Sequence, residues 1–287
     1  MKTETSALMQ FLIAQLLFGF IPIVVRFGSG IGSFSLAFFR ILITALALGA
    51  FFLLARQTFA PFKEERGRLL LFGAVHGFII LGYFLAIQHL SIANAVLLLY
   101  SASIWMVVFS WLLLKEKLTA RTITALCIAL AGVVLVLDPS QMFSFNNVLG
   151  SVAGLLAGVG FGWVYVASKQ FKTYDKVSLT FWQNLIALPF LLPFLLFIPL
   201  QFKTADIGLL LILGVVCTAL PFILIFKSLE KLSGQKAGVL ILLDILFPVV
   251  FAILFFKELP SLMAILGGLL IIGGVLLVTL EKKQEKH

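Results

Sequence analysis

The second part of this sequence repeats the first, and an internal repeat constrains the architecture of a chain more than any single residue does. Residues 90–117 align without a gap with residues 232–259, which lie 142 positions later, and ten of the 28 aligned positions are identical. Apolar residues match readily by chance, but each copy also ends on the same charged pair, Lys115-Glu116 and Lys257-Glu258. The repeat therefore predicts a fold made of two similar units.

Shorter matches extend the similarity over both halves. The segment FGF at 18–20 recurs as FGW at 161–163, and SLAFFR, which ends at Arg40, recurs as SLTFWQ, which ends at Gln183. Both matches lie 143 positions apart. We therefore predict a first repeat at 1–137, a non-cytoplasmic linker at 138–147, and a second repeat with a short basic C-terminal tail at 148–287.

The composition indicates the medium in which the two halves fold. Hydrophobic residues make up 62% of the chain and charged residues 11%, where soluble domains have about 45–50% and about 25%. The mean hydropathy of +1.17 is typical of an integral membrane protein. A helix needs about 20 apolar residues to cross the hydrocarbon core. Ten segments of about this length are present: 7–27, 33–55, 69–89, 93–114, 121–137, 148–168, 177–198, 206–228, 236–256 and 261–280.

An odd number of spans in each half inverts the second half relative to the first. Ten spans divide into five per half, so the second half enters the membrane from the opposite side, as in inverted-repeat transporters. With the N-terminus placed in the cytoplasm, 17 Lys and Arg residues fall on the cytoplasmic side and three on the other. Because cytoplasmic loops carry an excess of basic residues, we predict a multi-pass protein of the cytoplasmic membrane with both termini in the cytoplasm.

These features together resemble a known transporter family. The ten predicted helices in two halves, the Arg in the second span, the segment LLYSASIWMVVFSWLLLKEKLT and the segment GVVLVL are similar to the EamA family of the drug/metabolite transporter superfamily. The resemblance implies an all-α membrane fold of two inverted five-helix repeats and the transport of small solutes. It also implies a helix-bending Pro in the fourth span, where this chain has Ser103, and one directly after an acidic residue in the ninth, where Ile245 follows Asp244.

Ionisable and polar residues inside the predicted spans are the candidate binding residues, because they are costly in hydrocarbon unless they face a cavity or each other. Counting about 1.5 Å of rise per residue along straight helices predicts an outer group and an inner group, about 10 Å apart in depth. The outer group is Arg40, Tyr83 and Tyr100. The inner group is His76, Trp163 and Asp244.

The depth estimate favours a protonatable His76–Asp244 pair over an Arg40–Asp244 ion pair. Each residue also has a structural interpretation: Arg40 as a clamp on carbonyl groups, Asp244 as a hydrogen-bond partner of a helix backbone, and His76 as a filler beside Gly77. Gln183, the counterpart of Arg40 in the repeat, is a further candidate binding residue, for which a structural role is favoured. Trp105 and Trp163 join the tyrosines as lining for an aromatic or cationic solute. We expect the two Lys-Glu pairs to be ion pairs at the membrane interface.

The sequence also bears on other classes of function. It has no GxxxxGK[ST] motif for ATP and no HExxH motif among its three His residues, so no cofactor, metal or catalytic centre is predicted. A channel would repeat one pore-lining helix around the axis of an oligomer. Short basic loops do not form the continuous face that a nucleic acid would need.

The expected function is a secondary transporter that moves small organic solutes by alternating access, with amino acids, related metabolites and amphipathic amines as substrates. The expected direction is export, either proton-coupled or facilitative. The alternatives are an uptake carrier or, less favoured, a non-transport membrane protein such as an intramembrane enzyme or a channel. The expected partners are the solute, protons if transport is coupled, and the lipid bilayer, with the chain a monomer or a homodimer.

Overall fold

The computed structural model describes residues 2–27, 31–56, 65–137 and 148–280. Within these ranges all regular secondary structure is helical and there is no β-strand. The predicted linker at 138–147 and the basic tail after 280 lie outside the described residues. The helices are α1 (Lys2–Gly19), α2 (Ile21–Phe27), α3 (Ser33–Leu54), α4 (Arg66–His89), α5 (Ile92–Tyr100), α6 (Ala102–Leu114), α7 (Ala120–Val136), α8 (Val148–Ser168), α9 (Lys176–Leu191), α10 (Ile207–Gly214), α11 (Leu220–Leu229), α12 (Gly234–Leu240), α13 (Leu246–Phe256) and α14 (Leu262–Thr279).

Consecutive helices join into runs that are long enough to cross a membrane. Among the described residues, nine runs are long and apolar enough to do so, from Glu4–Phe27 to Leu262–Thr279. The segment predicted at 121–137 is α7, a shorter apolar helix of 17 residues. The predicted apolar segments are therefore helical, and the chain is an all-helical, multi-pass membrane protein.

Polar side chains define where several of these helices begin. The hydroxyls of Ser91 and Thr119 accept hydrogen bonds from the backbone N–H three residues later, at the starts of α5 and α7. Ser233 and Ser261 do the same for α12 and α14, 142 positions further along the chain. Such N-caps satisfy backbone donors that the first turn of a helix leaves free.

Several membrane runs are interrupted by irregular turns, and three of the interruptions precede a proline. Pro22 lies just after the break between α1 and α2, Pro221 follows a π-helical turn at Val215–Ala219, and Pro248 follows a 3₁₀ turn at Ile241–Ile245. A proline has no N–H and its ring collides with the carbonyl group four residues earlier. For Pro248 that carbonyl group belongs to Asp244, so this proline explains the break at Asp244.

The break between α5 and α6 has no proline. Instead, the hydroxyl of Ser101 donates to the Leu98 carbonyl oxygen at 2.6 Å, and that of Ser103 donates to the Tyr100 carbonyl oxygen at 2.9 Å. Serine hydroxyls that bond back to the preceding turn bend helices. Ser103, which stands where the resemblance described above implies a helix-bending proline, therefore contributes to the same kind of interruption.

Small residues allow the helices to pack closely. A Cβ atom added to Gly132 of α7 would lie 2.5 Å from the carbonyl oxygen of Gly267 in α14, and the reverse also holds. On α8, a Cβ atom at Gly162 would lie 2.7 Å from the Cβ atom of Trp105 and 2.8 Å from the carbonyl oxygen of Ala102. Close backbone contact through small residues is the usual packing mode of membrane helices.

Candidate functional site

Asp244 lies in the 3₁₀ turn between α12 and α13, and its carboxylate accepts a hydrogen bond from the Tyr100 hydroxyl. Tyr100 is the last residue of α5, directly before the break between α5 and α6. The hydrogen bond thus joins two interrupted membrane helices at their interruptions. Discontinuous helices of this kind form binding sites in secondary transporters because their free backbone groups and side chains meet there.

Arg40 of α3 lies against the π-helical turn of the α10–α11 run. Its Nε donates to the Thr218 hydroxyl oxygen at 3.2 Å, and that hydroxyl donates to the Leu213 carbonyl oxygen at 2.7 Å. One turn further along α3, the Thr44 hydroxyl lies 2.7 Å from the Arg40 carbonyl oxygen and 2.8 Å from that of Gly214. The π-helical turn therefore anchors one edge of the guanidinium.

Four candidate residues form one group, which we call the Arg40–Asp244 cluster: Arg40, Tyr83, Tyr100 and Asp244. Tyr83 interacts electrostatically with both Arg40 and Asp244, and Tyr100 does so with both Tyr83 and Asp244. All four side chains are partly buried. In the described part of the chain, no direct ion pair of 4.0 Å or less joins Arg40 to Asp244. The cluster therefore holds a basic and an acidic side chain that form no direct ion pair in the described part of the chain.

The cluster contradicts the predicted separation into an outer and an inner group. Tyr100 of the outer group bonds directly to Asp244 of the inner group. The estimate of depth assumed straight helices with a uniform rise, whereas both residues lie at helix breaks, and a 3₁₀ turn rises about 2.0 Å per residue instead of about 1.5 Å. The helix breaks remove the basis for that estimate.

His76 does not form the predicted pair with Asp244. Its side chain is 3% exposed, its ring lies 5.2 Å from that of Phe222 in an edge-to-face arrangement, and neither ring nitrogen has a hydrogen-bond partner in the described part of the chain. A Cβ atom at Gly73 or Gly77 would come within 3.2 Å of an α9 backbone oxygen. Helix α4 therefore packs closely on α9, and the His76 ring lies against Phe222 of α11.

The remaining candidates make mainly packing contacts. Gln183 is fully buried and its amide has no hydrogen-bond partner among the described residues. The ring of Trp163 lies 6.3 Å from that of Phe72, and Trp105 lies 6.1 Å from Phe109. None of these three hydrogen-bonds to the Arg40–Asp244 cluster in the described chain, so their roles as binding residues stay predictions.

Two residues near the cluster were absent from the sequence-based candidates. Thr218 is fully buried and is the hydrogen-bond partner of Arg40. Tyr165 is fully buried, interacts electrostatically with Asp244 and Arg40, and has a hydroxyl without a partner in the described chain. The signal for Thr218 was a hydroxyl residue three positions before a proline inside an apolar span; Tyr165 had no comparable signal.

The fold and the cluster define a multi-pass membrane protein with charged residues inside its helical core. The model of the EamA-like transporter family matches this chain twice, at residues 5–138 and 148–280. The chain therefore belongs to this family, within the drug/metabolite transporter superfamily, and is a membrane transporter. The family predicted from the repeat and its motifs is confirmed.

Relatives of this chain carry transporter names. An uncharacterized transporter of Archaeoglobus fulgidus is 32% identical over 228 residues, which cover 78% of each chain. The pseudopaline exporter CntI of Pseudomonas aeruginosa is 29% identical over 147 residues, which cover 50% of each chain. A protein of known crystal structure superposes with a TM-score of 0.86 over 96% of this chain and 97% of its own, at 21% identity. That likeness shows a shared fold.

Proposed function

We propose that this chain is a secondary transporter that binds a small organic solute at the Arg40–Asp244 cluster and carries it across the membrane by alternating access. The observation that carries the proposal is a basic and an acidic side chain that each have their own polar partner and, among the described residues, form no direct ion pair with each other. Ionisable groups inside a membrane protein are costly and mark solute or ion pathways. The cluster supplies a basic group, Arg40, and an acidic group, Asp244, to which a solute can bind.

The arrangement fits a zwitterion such as an amino acid. A guanidinium is the side chain best suited to bind a carboxylate, through two parallel hydrogen bonds, and Nε of Arg40 already has its partner in Thr218. The terminal nitrogens of Arg40 are the groups we assign to the solute carboxylate. Asp244 would bind the solute ammonium group beside the Tyr100 hydroxyl.

Amphipathic amines are a second substrate class, and the two tyrosines of the cluster favour it. Tyr83 and Tyr100 both interact with Asp244, and aromatic faces attract organic cations. An amine without a carboxylate would use Asp244 and the tyrosines and would leave Arg40 unused. The two classes therefore differ in whether transport depends on Arg40.

The proposed architecture is a pair of inverted five-helix repeats, 1–137 and 148–287. The protein lies in the cytoplasmic membrane, with both termini in the cytoplasm. The two separate family matches support the two repeats. So do the breaks in the α5–α6 and α12–α13 runs, which occupy corresponding positions of the repeat at an offset of 142. In this arrangement, the two halves close alternately on either side of the cluster.

We propose export as the direction, which the similarity to a relative named as a pseudopaline exporter supports. Asp244 is the residue we assign to proton coupling, because a carboxyl group that both binds the solute and exchanges a proton links the two fluxes. A facilitative carrier would instead show transport that does not depend on a pH gradient.

The test is untargeted mass spectrometry of the medium of cells that express the wild-type chain or the Arg40→Ala, Asp244→Ala double variant at equal level. A matched control is the Arg68→Ala, Glu65→Ala double variant, which removes an exposed ion pair of 3.0 Å. The proposal expects a solute that is enriched outside with the wild type and the control and not with the cluster variant. Equal enrichment with all three chains would contradict it.

A further inference from the structure

Two glutamates at corresponding positions of the repeat follow residues that end a helix in the same way. Lys115 after α6 and Lys257 after α13 both have left-handed backbone conformations, with φ of 54° and 56°. The next residues, Glu116 and Glu258, donate backbone hydrogen bonds back to Ser110 and Ala252 at 3.1 and 3.3 Å. These are the bonds of a helix C-cap. The backbone conformation therefore fixes the position from which each glutamate side chain extends.

Neither glutamate forms the predicted interface ion pair with its neighbouring lysine. Glu116 instead contacts the second half of the chain: it accepts from Lys169 Nζ at 3.2 Å and from the backbone N–H groups of Gly234 and Gln235 at 3.0 and 3.2 Å. Lys169 also donates to the Leu232 carbonyl oxygen at 2.7 Å. One carboxylate thus joins the end of α6 to the end of α8 and the start of α12.

Glu258 makes the corresponding contact to the first half. Its carboxylate lies 2.6 Å from Nη1 of Arg26, at the end of α2, and the Arg26 guanidinium lies 3.8 Å from the ring centre of Phe256. Arg26 and Lys169 are 143 positions apart, the same offset that relates the FGF and FGW segments. The two ion pairs are therefore equivalent under the repeat, and the predicted topology puts them on opposite sides of the membrane.

We propose that the Glu116–Lys169 and Glu258–Arg26 pairs are two equivalent latches, one at the cytoplasmic side and one at the outer side, that open in turn during transport. The proposal rests on the alternating access proposed above. Each latch joins the two halves, so an intact ion pair holds them together on its own side of the membrane. Opening the cytoplasmic latch gives the inward-open state, and opening the outer latch gives the outward-open state.

The two latches differ in strength. The side chains of Lys169 and Glu116 are 16% and 21% exposed, and both have further hydrogen-bond partners. Those of Arg26 and Glu258 are 51% and 52% exposed. Exposed ion pairs are weakened by solvent and salt much more than partly buried pairs. The outer latch therefore opens more easily, and added salt weakens it more.

Site-specific thiol labelling tests the latches without knowledge of the substrate. The reporter is Tyr83→Cys in the Arg40–Asp244 cluster, in a chain that also carries Cys127→Ser and Cys217→Ser. A small, charged, membrane-impermeant methanethiosulfonate is added to intact cells to measure access from outside, or to inside-out vesicles to measure access from the cytoplasmic side. Ser101→Cys, at the break between α5 and α6, is a second reporter.

Loss of either latch should change access from one side. Glu116→Gln is expected to raise the labelling rate in inside-out vesicles about tenfold and Glu258→Gln to raise it in intact cells by a smaller factor, because losing one charge of a bonded pair shifts a two-state equilibrium. Exchanging the outer charges, Arg26→Glu with Glu258→Arg, should restore the wild-type rate in intact cells. The control, Glu230→Gln, breaks a 3.3 Å pair with Lys176 inside the second half and should change neither rate.

Two results would overturn the latches: both glutamate variants raising labelling from the same side, or neither changing it at either reporter. The outcome is separate from that of the transport proposal. If labelling does not respond while the Arg40→Ala, Asp244→Ala variant abolishes solute export, the latches are wrong and the transport site stands. If labelling responds as predicted while the Arg40→Ala, Asp244→Ala variant exports the solute as well as the wild type does, the latches stand and the assigned substrate site is wrong.

Discussion

Replacing Tyr100 by Phe removes the hydroxyl that bonds to Asp244 and leaves the size of the ring unchanged. The carboxylate then loses its hydrogen-bond donor in the core of a membrane protein. Hydrogen bonds between membrane helices average about 0.6 kcal/mol and reach about 1.7 kcal/mol, and bonds to charged groups contribute about 1.5–3 kcal/mol. Where the two ranges meet, the expected loss of folding free energy is about 1.5 kcal/mol.

Thermal unfolding of the purified protein in detergent, followed by tryptophan fluorescence, measures this loss. With about 2.1 cal/mol/K of unfolding entropy per residue, a chain of 287 residues has about 0.6 kcal/mol/K, so Tyr100→Phe should lower Tm by about 2–3 °C. Tyr165→Phe is the matched control, since the Tyr165 hydroxyl is buried without a partner in the described chain. Removal of the Tyr165 hydroxyl should leave Tm unchanged or raise it. Equal destabilisation by both variants would refute the assignment of the hydrogen bond.

Three further perturbations test other parts of the structure. Gly162→Ala should lower the free energy of unfolding by about 1–3 kcal/mol because its Cβ atom would overlap Trp105. Gly273→Ala is the control and should be close to neutral, because nothing among the described residues packs within 4 Å of the added Cβ atom. Equal Tm values for the two variants would contradict the packing. Thr218→Val removes the acceptor for Arg40 Nε and should raise the KM for an exported amino acid about tenfold while kcat changes little; an unchanged KM would contradict its positioning role. Asp244→Asn should abolish the pH dependence of transport in vesicles, and an unchanged pH profile would rule out Asp244 as the coupling group.

The helices could be predicted from the sequence because their signals are local. Apolar length alone indicated the segments 33–55 and 93–114, which the structure has as Ser33–Leu54 and Ile92–Leu114. The N-cap residues also carry a local signal, a Ser or Thr directly before an apolar run. A helix boundary needs only a few neighbouring residues, so one sequence is sufficient to find it.

The contacts inside the membrane depend on helix breaks, and only some of these breaks are marked by a proline in the sequence. Pro248 marks the break at Asp244, and Pro221 marks the π-helical turn that holds Thr218. The break at Tyr100 depends instead on two serine hydroxyls, a pattern that also occurs in straight helices. A depth scale based on straight helices therefore separated Tyr100 from Asp244, although the two residues are hydrogen-bonded.

The partners of the two repeated glutamates were also missed, although the sequence contained their signal. The repeat pointed to Glu116 and Glu258, and the neighbouring lysines were the simplest partners. The left-handed conformation of Lys115 and Lys257 makes them helix caps, and the acidic groups bond across the halves instead. The available indication was that Arg26 and Lys169 are also separated by the repeat, at 143 positions, next to the 142 positions that separate the two glutamates.

Counterflow in proteoliposomes is the most direct test of the central claim that a solute binds between Arg40 and Asp244 and is carried across the membrane. Vesicles containing the purified chain are loaded with an unlabelled amino acid mixture, and the entry of labelled amino acids and amines is followed. The account predicts transient accumulation of a zwitterionic amino acid by the wild type and its loss in both Arg40→Ala and Asp244→Ala. Accumulation that persists in both variants would show that the solute site lies elsewhere and would contradict the account.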